Sequence, residues 1–250
     1  MLLINNLPVL LLLSLITTVL AQLPSLNIRQ DEAAKSQGHY IWTSKVVYDG
    51  PTSELFTGNQ LYGLARQAWK EMAEQWESPV RVVRGNRPGM MGALAVGNSV
   101  YFSSSARGDN FFYRYPRPDT QPVEVQRALD LCQGSLALER DELNRPHFTS
   151  ASCAEIMALH QFFQDPDVPR ADKTTLPPMR VVAYGAGRSK VAKPFPPCGT
   201  TGNPDTWGCK QFTDFMKIEV PPAPLEEEVE DKNPPAVPVS TTQISVCVNG

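Results

Sequence analysis

Residues 90–104 read MMGALAVGNSVYFSS, and this stretch decides the fold. It contains two short runs of strand-forming residues, 90–96 and 99–104, separated only by Gly97-Asn98. Two such runs joined by two residues that tolerate a positive φ predict a β-hairpin. The domain is therefore expected to be built on a sheet that contains this hairpin.

Helices are predicted on both sides of the hairpin. Before it, Thr57 and Gln60 have the spacing of a capping box, and apolar residues recur at three- and four-residue intervals as far as Trp76. The other predicted elements are a leading strand or hairpin in 40–48, helices at 123–139, 152–166 and 206–217 (N-cap Asp205), and a strand at 179–184. This order predicts an α/β fold, a three-layer mixed sheet flanked by helices.

Length and composition limit the chain to one main domain. Its 250 residues, 42% of them hydrophobic, suffice for one substantial core. A net charge of −3 provides no broad basic surface, so duplex DNA is not an expected partner, and the sequence does not identify a protein partner. The predicted divisions are a signal peptide at 1–21, an N-terminal extension at 22–53, a domain at 54–220 with an insertion at 109–150, and a tail at 221–250.

The first 21 residues have the character of a secretory signal peptide. An uncharged apolar stretch ends in small residues, and cleavage is predicted between Ala21 and Gln22. The alternative is an uncleaved anchor, but the apolar core of about 14 residues is shorter than the ~20 that a membrane span needs. The protein is thus expected to be secreted, with no membrane span after removal of the leader.

The C-terminal segment has the composition of a linker. Residues 221–235 are rich in proline and glutamate, with little apolar surface to offset the entropy of ordering. Residues 244–248 resemble a strand that can dock back on the domain.

Three of the five cysteines are candidates for a metal site. Cys153 begins a predicted helix that also carries Glu155, Cys198 follows a predicted strand, and Cys209 lies near the start of the last predicted helix. Zinc binds thiolates tetrahedrally, so three cysteines and one water would form an open site. Glu155 is close enough in sequence to reach that water.

The residues 91–96, 100–105 and 153–155 follow one another as in the cytidine deaminase-like superfamily, which this chain resembles over about residues 54–218. The resemblance implies a Zn²⁺ cofactor held by Cys153, Cys198 and Cys209, with Glu155 as the proton shuttle. It implies a secreted zinc-dependent deaminase-like hydrolase that acts on a nucleoside, a nucleic-acid base or another amine-bearing substrate. Two features depart from the family pattern: ten residues separate Cys198 from Cys209 where the family has two, and the insertion at 109–150 is long.

Other interpretations of the same residues stay open. Ser152 and Glu155 also have capping-box spacing, which would make the glutamate structural. Cys198 and Cys209 can instead form a disulfide, and the protein can be a non-catalytic secreted effector or binding protein on a deaminase-like or disulfide-stapled scaffold. If the metal site forms, Cys132 and Cys247 remain and are expected to pair. The three histidines, His39, His147 and His160, are interpreted as structural or surface residues.

Overall fold

The computed structural model describes residues 23–77, 82–108, 124–140, 147–187, 190–199, 207–231 and 236–247. The predicted signal peptide and its cleavage position lie outside these residues. The strands are β1 Arg29–Gln30, β2 Trp42–Tyr48, β3 Met90–Val96, β4 Ser99–Ser104, β5 Met179–Gly185, β6 Lys193–Phe195 and β7 Pro238–Thr242. The helices are α1 Glu32–Ser36, α2 Thr52–Leu55, α3 Gly58–Gln75, α4 Glu124–Arg140, α5 Ala154–Gln164, α6 Arg170–Thr174 and α7 Cys209–Phe215.

The strands form one seven-stranded antiparallel sheet in the order β1-β2-β4-β3-β5-β6, with β7 paired to β2. The hairpin predicted from residues 90–104 is confirmed as β3 and β4, which turn at Gly97 and pair Val96 with Ser99. The strand predicted in 40–48 is β2, and it pairs with β4 rather than folding into a hairpin of its own.

Helices cover both faces of the sheet, which confirms the predicted α/β fold. Alternate residues of β3 point in opposite directions. Ala93 belongs to the core that includes α3, whereas Leu94 belongs to the core that includes α5. The capping box at the start of α3 forms as expected, because Thr57 and Gln60 exchange side chain to backbone hydrogen bonds.

Helix α5 is buried from Ala154 to Phe163 on nearly every side. It packs on β3 and β4, and α4 lies against it and against α7. Since α4 belongs to the predicted insertion at 109–150, that insertion covers the helix that carries Cys153 and Glu155. None of the helices in the described ranges combines the length and the apolarity that a membrane crossing requires.

The C-terminal segment contacts the domain in parts of 221–231 and 236–247, although many of its side chains are exposed. Its strand is β7 at 238–242, not 244–248. Backbone pairing with β2 and ion pairs from Arg66 to Glu226 and Asp231 hold the segment in place. Val229 and Val246, which are buried in the two hydrophobic cores, add apolar contacts.

Candidate metal centre

Four side chains converge in a buried group beside the first turn of α5. His147, Cys153, Cys198 and Cys209 each offer one ligand atom, and these atoms all lie within 4.8 Å of one another. A group of this kind can bind a metal ion. We call it the sulfur cluster.

Secondary structure positions each sulfur. Cys153 is the N-cap residue of α5, and Cys209 is the first residue of α7. Cys198 lies in the loop between β6 and α7, and the amide of Cys209 donates to its Sγ at 3.1 Å. A thiolate at the start of a helix faces backbone N–H groups that stabilise its negative charge.

Gly208 allows the loop to approach Cys209 this closely. A Cβ atom at position 208 would lie 2.6 Å from the carbonyl oxygen of Cys198 and 2.9 Å from its Sγ. Only a residue without a side chain fits there, so the ten residues between the two cysteines end in a close backbone contact that brings both sulfurs together.

The donor set suits zinc. Two sulfur ligands of one tetrahedral zinc ion lie about 3.8 Å apart when each Zn–S bond is about 2.3 Å. The Sγ atoms of Cys153 and Cys198 are 3.3 Å apart, and the Nε2 atom of His147 lies 3.7 Å from Cys209 Sγ and 4.0 Å from Cys198 Sγ. Small side-chain rotations therefore suffice to place sulfur atoms around one ion, and soft thiolates favour zinc over magnesium or calcium.

The three thiols influence one another strongly. Hydrogen-bonding contacts with Cys153 and Cys209 lower the pKa of Cys198 far below its ordinary value. The same contact raises the pKa of Cys153, and burial raises the pKa of Cys209. These shifts reflect the cost of placing several negative charges close together in a buried space.

Glu155 lies against the sulfur cluster. Its carboxylate oxygen accepts from the Cys209 thiol at 3.8 Å, and the residue is buried. Burial, reinforced by the nearby Cys198 thiolate, raises the pKa of Glu155 to about 7. A carboxyl group in this position can both take up and release a proton near neutral pH.

The capping interpretation of Glu155 does not hold. The N-cap of α5 is Cys153, which makes no side-chain capping bond. The backbone amide of Ser152, the partner that a capping box would assign to Glu155, donates instead to the carbonyl of Thr149 at 3.1 Å. The carboxylate therefore does not bond the Ser152 amide; it contacts the Cys209 sulfur and the backbone amide of Glu155 itself.

No disulfide bond joins any of the five cysteines, all of which lie in the described part of the chain, so neither disulfide that the sequence suggested is formed. Cys198 contacts Cys153 and Cys209 without a bond between sulfurs. Cys132 and Cys247, the expected pair, are buried in the same hydrophobic core.

His147 corrects the interpretation of the histidines. It lies six residues before Cys153, at the end of the predicted insertion, and it is 1% exposed in the sulfur cluster. The other two lie elsewhere; His160, for example, bonds the carbonyl of Val246. The available signal in the sequence was a histidine six residues before the first candidate metal-site cysteine. The sequence did not show the conformation of the loop between them, so the contact could not be predicted.

Comparison with models of protein families, with curated proteins and with solved structures finds no match to this chain. The functional argument therefore depends on the site itself.

Proposed function

We propose that this protein is a secreted, zinc-dependent hydrolase of the deaminase type, in which Cys153, Cys198 and Cys209 hold the ion and Glu155 carries the proton. The observation that supports it is the buried carboxylate of Glu155, which lies 3.8 Å from the sulfur of Cys209. Burial beside three thiols raises the pKa of this carboxyl group to about 7. The group is well suited to acid–base chemistry.

Zinc, when bound, activates water as a nucleophile near neutral pH. Glu155 takes one proton from the attacking water as the new C–O bond forms at the carbon that carries the amine. The same carboxyl group then gives that proton to the ring nitrogen of the substrate. It next carries the remaining proton of the new hydroxyl group to the amine, so that the C–N bond breaks, ammonia leaves and a C=O group remains. Water is the only co-reactant, so the residues present suffice for the proton transfers.

The substrate class follows from the chemistry. A carbon that carries an exocyclic amine next to a ring nitrogen accepts both the attack and the returned proton, as in cytosine or adenine bases. We propose a free nucleoside or a single-stranded base as substrate, because the net charge of −3 disfavours duplex DNA.

The test measures ammonia release from nucleosides and single-stranded oligonucleotides by the zinc-loaded protein. Glu155→Gln preserves the size of the side chain and removes the base, so activity should fall by about 10²–10⁴-fold while zinc content and fold are retained. Glu74→Gln, the same change at an exposed position of α3, is the matched control and should leave activity unchanged. Equal rates for the wild type and Glu155→Gln would remove Glu155 from the mechanism.

A second candidate function follows from the fourth donor, His147. Three cysteines and one histidine form a complete tetrahedral set, which is typical of structural zinc sites without an open position. The protein would then be a non-catalytic secreted binding protein or effector that zinc stabilises. Zinc bound with four protein ligands and no ammonia release from any substrate would favour this function.

Secretion has its own test. Expression of the full chain in a secreting host should deliver protein to the medium with an amino terminus at Gln22. Protein that remains in the membrane fraction at full length would contradict the signal-peptide prediction.

A further inference from the structure

The loop 147–151 ends the predicted insertion and surrounds one face of the sulfur cluster. His147 is held there by Trp207, whose ring meets the imidazole edge to face with centroids 4.8 Å apart. The carbonyl of Trp207 also accepts from the amide of Phe148 at 2.9 Å. The orientation of the imidazole ring is therefore set by packing and by backbone contacts.

The hydrogen bonds of Nδ1 determine which nitrogen of His147 carries the proton. The backbone amides of Thr149 and Ala151 both donate to Nδ1, each at 3.3 Å, and the Thr149 hydroxyl lies 3.2 Å from it. Two N–H groups directed at one ring nitrogen require a lone pair on that nitrogen. The neutral ring consequently carries its hydrogen on Nε2, the atom that faces the sulfurs.

A histidine that binds a metal through Nε2 has the opposite arrangement. Its Nδ1 is protonated and donates to a carboxylate, a carbonyl or water. Among the residues that the structure describes, the groups that contact Nδ1 of His147 are the two amides and the hydroxyl. The environment of the ring thus opposes coordination and favours an Nε2–H donor.

On the basis of the function proposed above, we propose that His147 is a positioning residue that donates a hydrogen bond to the sulfurs of Cys209 and Cys198 and is not the fourth metal ligand. With it, each sulfur has its own hydrogen-bonding partner. Thr149 Oγ1 lies 2.8 Å from Cys153 Sγ, the amide of Cys209 lies 3.1 Å from Cys198 Sγ, and His147 Nε2 lies 3.7 Å from Cys209 Sγ.

This arrangement answers an electrostatic requirement of the site. Three thiolates around one divalent ion leave a net negative charge, which weakens the effect of the ion on a coordinated water. Donors to the sulfurs withdraw part of that charge from the metal. Because His147 does not coordinate, the fourth position stays available to water and substrate.

The decisive measurement is nuclear magnetic resonance of the full-length secreted protein loaded with ¹¹³Cd. We expect ¹¹³Cd couplings to the β-protons of Cys153, Cys198 and Cys209, no coupling to the ring protons of His147, and ¹⁵N shifts that show hydrogen on Nε2. Coupling to the His147 ring, or hydrogen on Nδ1, would overturn the proposal, and so would the absence of coupling to the cysteines.

A pair of matched variants extends the test to affinity. His147→Gln should weaken zinc binding by about 10–100-fold, the usual effect of losing a group that supports metal ligands, while the three cysteine couplings remain. His160→Gln, the same change outside the sulfur cluster, should leave zinc affinity unchanged. Unchanged affinity in His147→Gln would contradict the proposal. The couplings, the nitrogen shifts and the zinc affinities are measured without turnover. If the protein released no ammonia, the deaminase proposal would fail, but these measurements would still test the role of His147.

Discussion

The carbonyl oxygen of Ala154 lies 2.7 Å from the position that a Cβ atom on Gly92 would occupy. Helix α5 therefore rests directly on the backbone of β3 at the turn that carries Cys153 and Glu155. The carbonyl carbon of Ala154 and the amide of Glu155 are nearly as close, at 2.8 and 3.2 Å. A side chain at position 92 would have to move this turn.

Gly92→Ala should weaken zinc binding and reduce the free energy of unfolding by about 1–3 kcal/mol, because the added methyl group pushes α5 away from the sheet. Calorimetry and zinc titration measure the two effects. Gly134→Ala is the control: it lies in α4 with open space around it, so the change should stabilise the helix by about 0.5–1 kcal/mol. Normal zinc affinity in Gly92→Ala would contradict the packing argument.

Removal of zinc should lower the stability of the protein. A ligand that binds only the folded state at a concentration of 100 times its Kd stabilises it by about 2.7 kcal/mol. Thermal unfolding with added zinc and with a chelator should therefore differ for the wild type and should coincide for Cys198→Ala. Cys132→Ala removes a thiol outside the sulfur cluster and should preserve the dependence on zinc. A zinc effect that survives in Cys198→Ala would indicate a different binding site.

Asp165 should make the protein sensitive to acid. Burial alone would raise the pKa of Asp165, but Lys45 at 2.6 Å, the Tyr101 hydroxyl at 2.6 Å and the Asp167 amide at 2.9 Å outweigh it and lower the pKa below its ordinary value. The folded state thus binds its proton less readily than the unfolded chain. The resulting stability is present above the unfolded pKa of about 3.9 and is lost as the pH falls through the folded pKa.

At pH 7, Asp165→Asn should cost about 3 kcal/mol in urea unfolding, because it leaves the buried Lys45 without its main partner. The difference in free energy of unfolding between this variant and the wild type should become smaller below about pH 4. Asp167→Asn is a matched control, since its carboxylate also bonds Lys45 but is 76% exposed, and it should cost at most about 1 kcal/mol. Equal costs for the two variants would refute the assignment.

His160 should add a second pH dependence at milder acidity. Burial lowers the pKa of His160 to about 4, against partial opposition from its bond to the Val246 carbonyl and from the carboxylates of Glu124 and Asp31. The unfolded chain therefore binds a proton between about pH 6.5 and 4 that the folded protein does not. Stability should fall as the pH decreases through this window, by up to about 1.4 kcal/mol per pH unit.

His160→Gln keeps a donor for the Val246 carbonyl and has no titrating group. The free energy of unfolding, measured in urea, should decrease less between pH 7 and pH 5 for this variant than for the wild type. Identical slopes would exclude His160 as the source of the effect.

Local sequence patterns were sufficient to predict most of the elements. The hairpin of β3 and β4, the capped start of α3 and the strand β5 depend on neighbouring residues and on the alternation of apolar positions, which the chain displays directly. The short elements α1, α2, α6, β1 and β6 were not predicted. Strand β7 was placed several residues too late, because its position is determined by pairing with β2, almost 200 residues earlier in the chain.

The sequence by itself determined the α/β character of the domain and marked Cys153, Glu155, Cys198 and Cys209 as chemically unusual residues. The tertiary structure alone decided that His147 joins them and that the Glu155 carboxylate contacts the sulfur of Cys209. The reason is that the four side chains of the sulfur cluster come from separate parts of the chain. Their geometry depends on how α5 and α7 pack, and local sequence patterns do not contain this information.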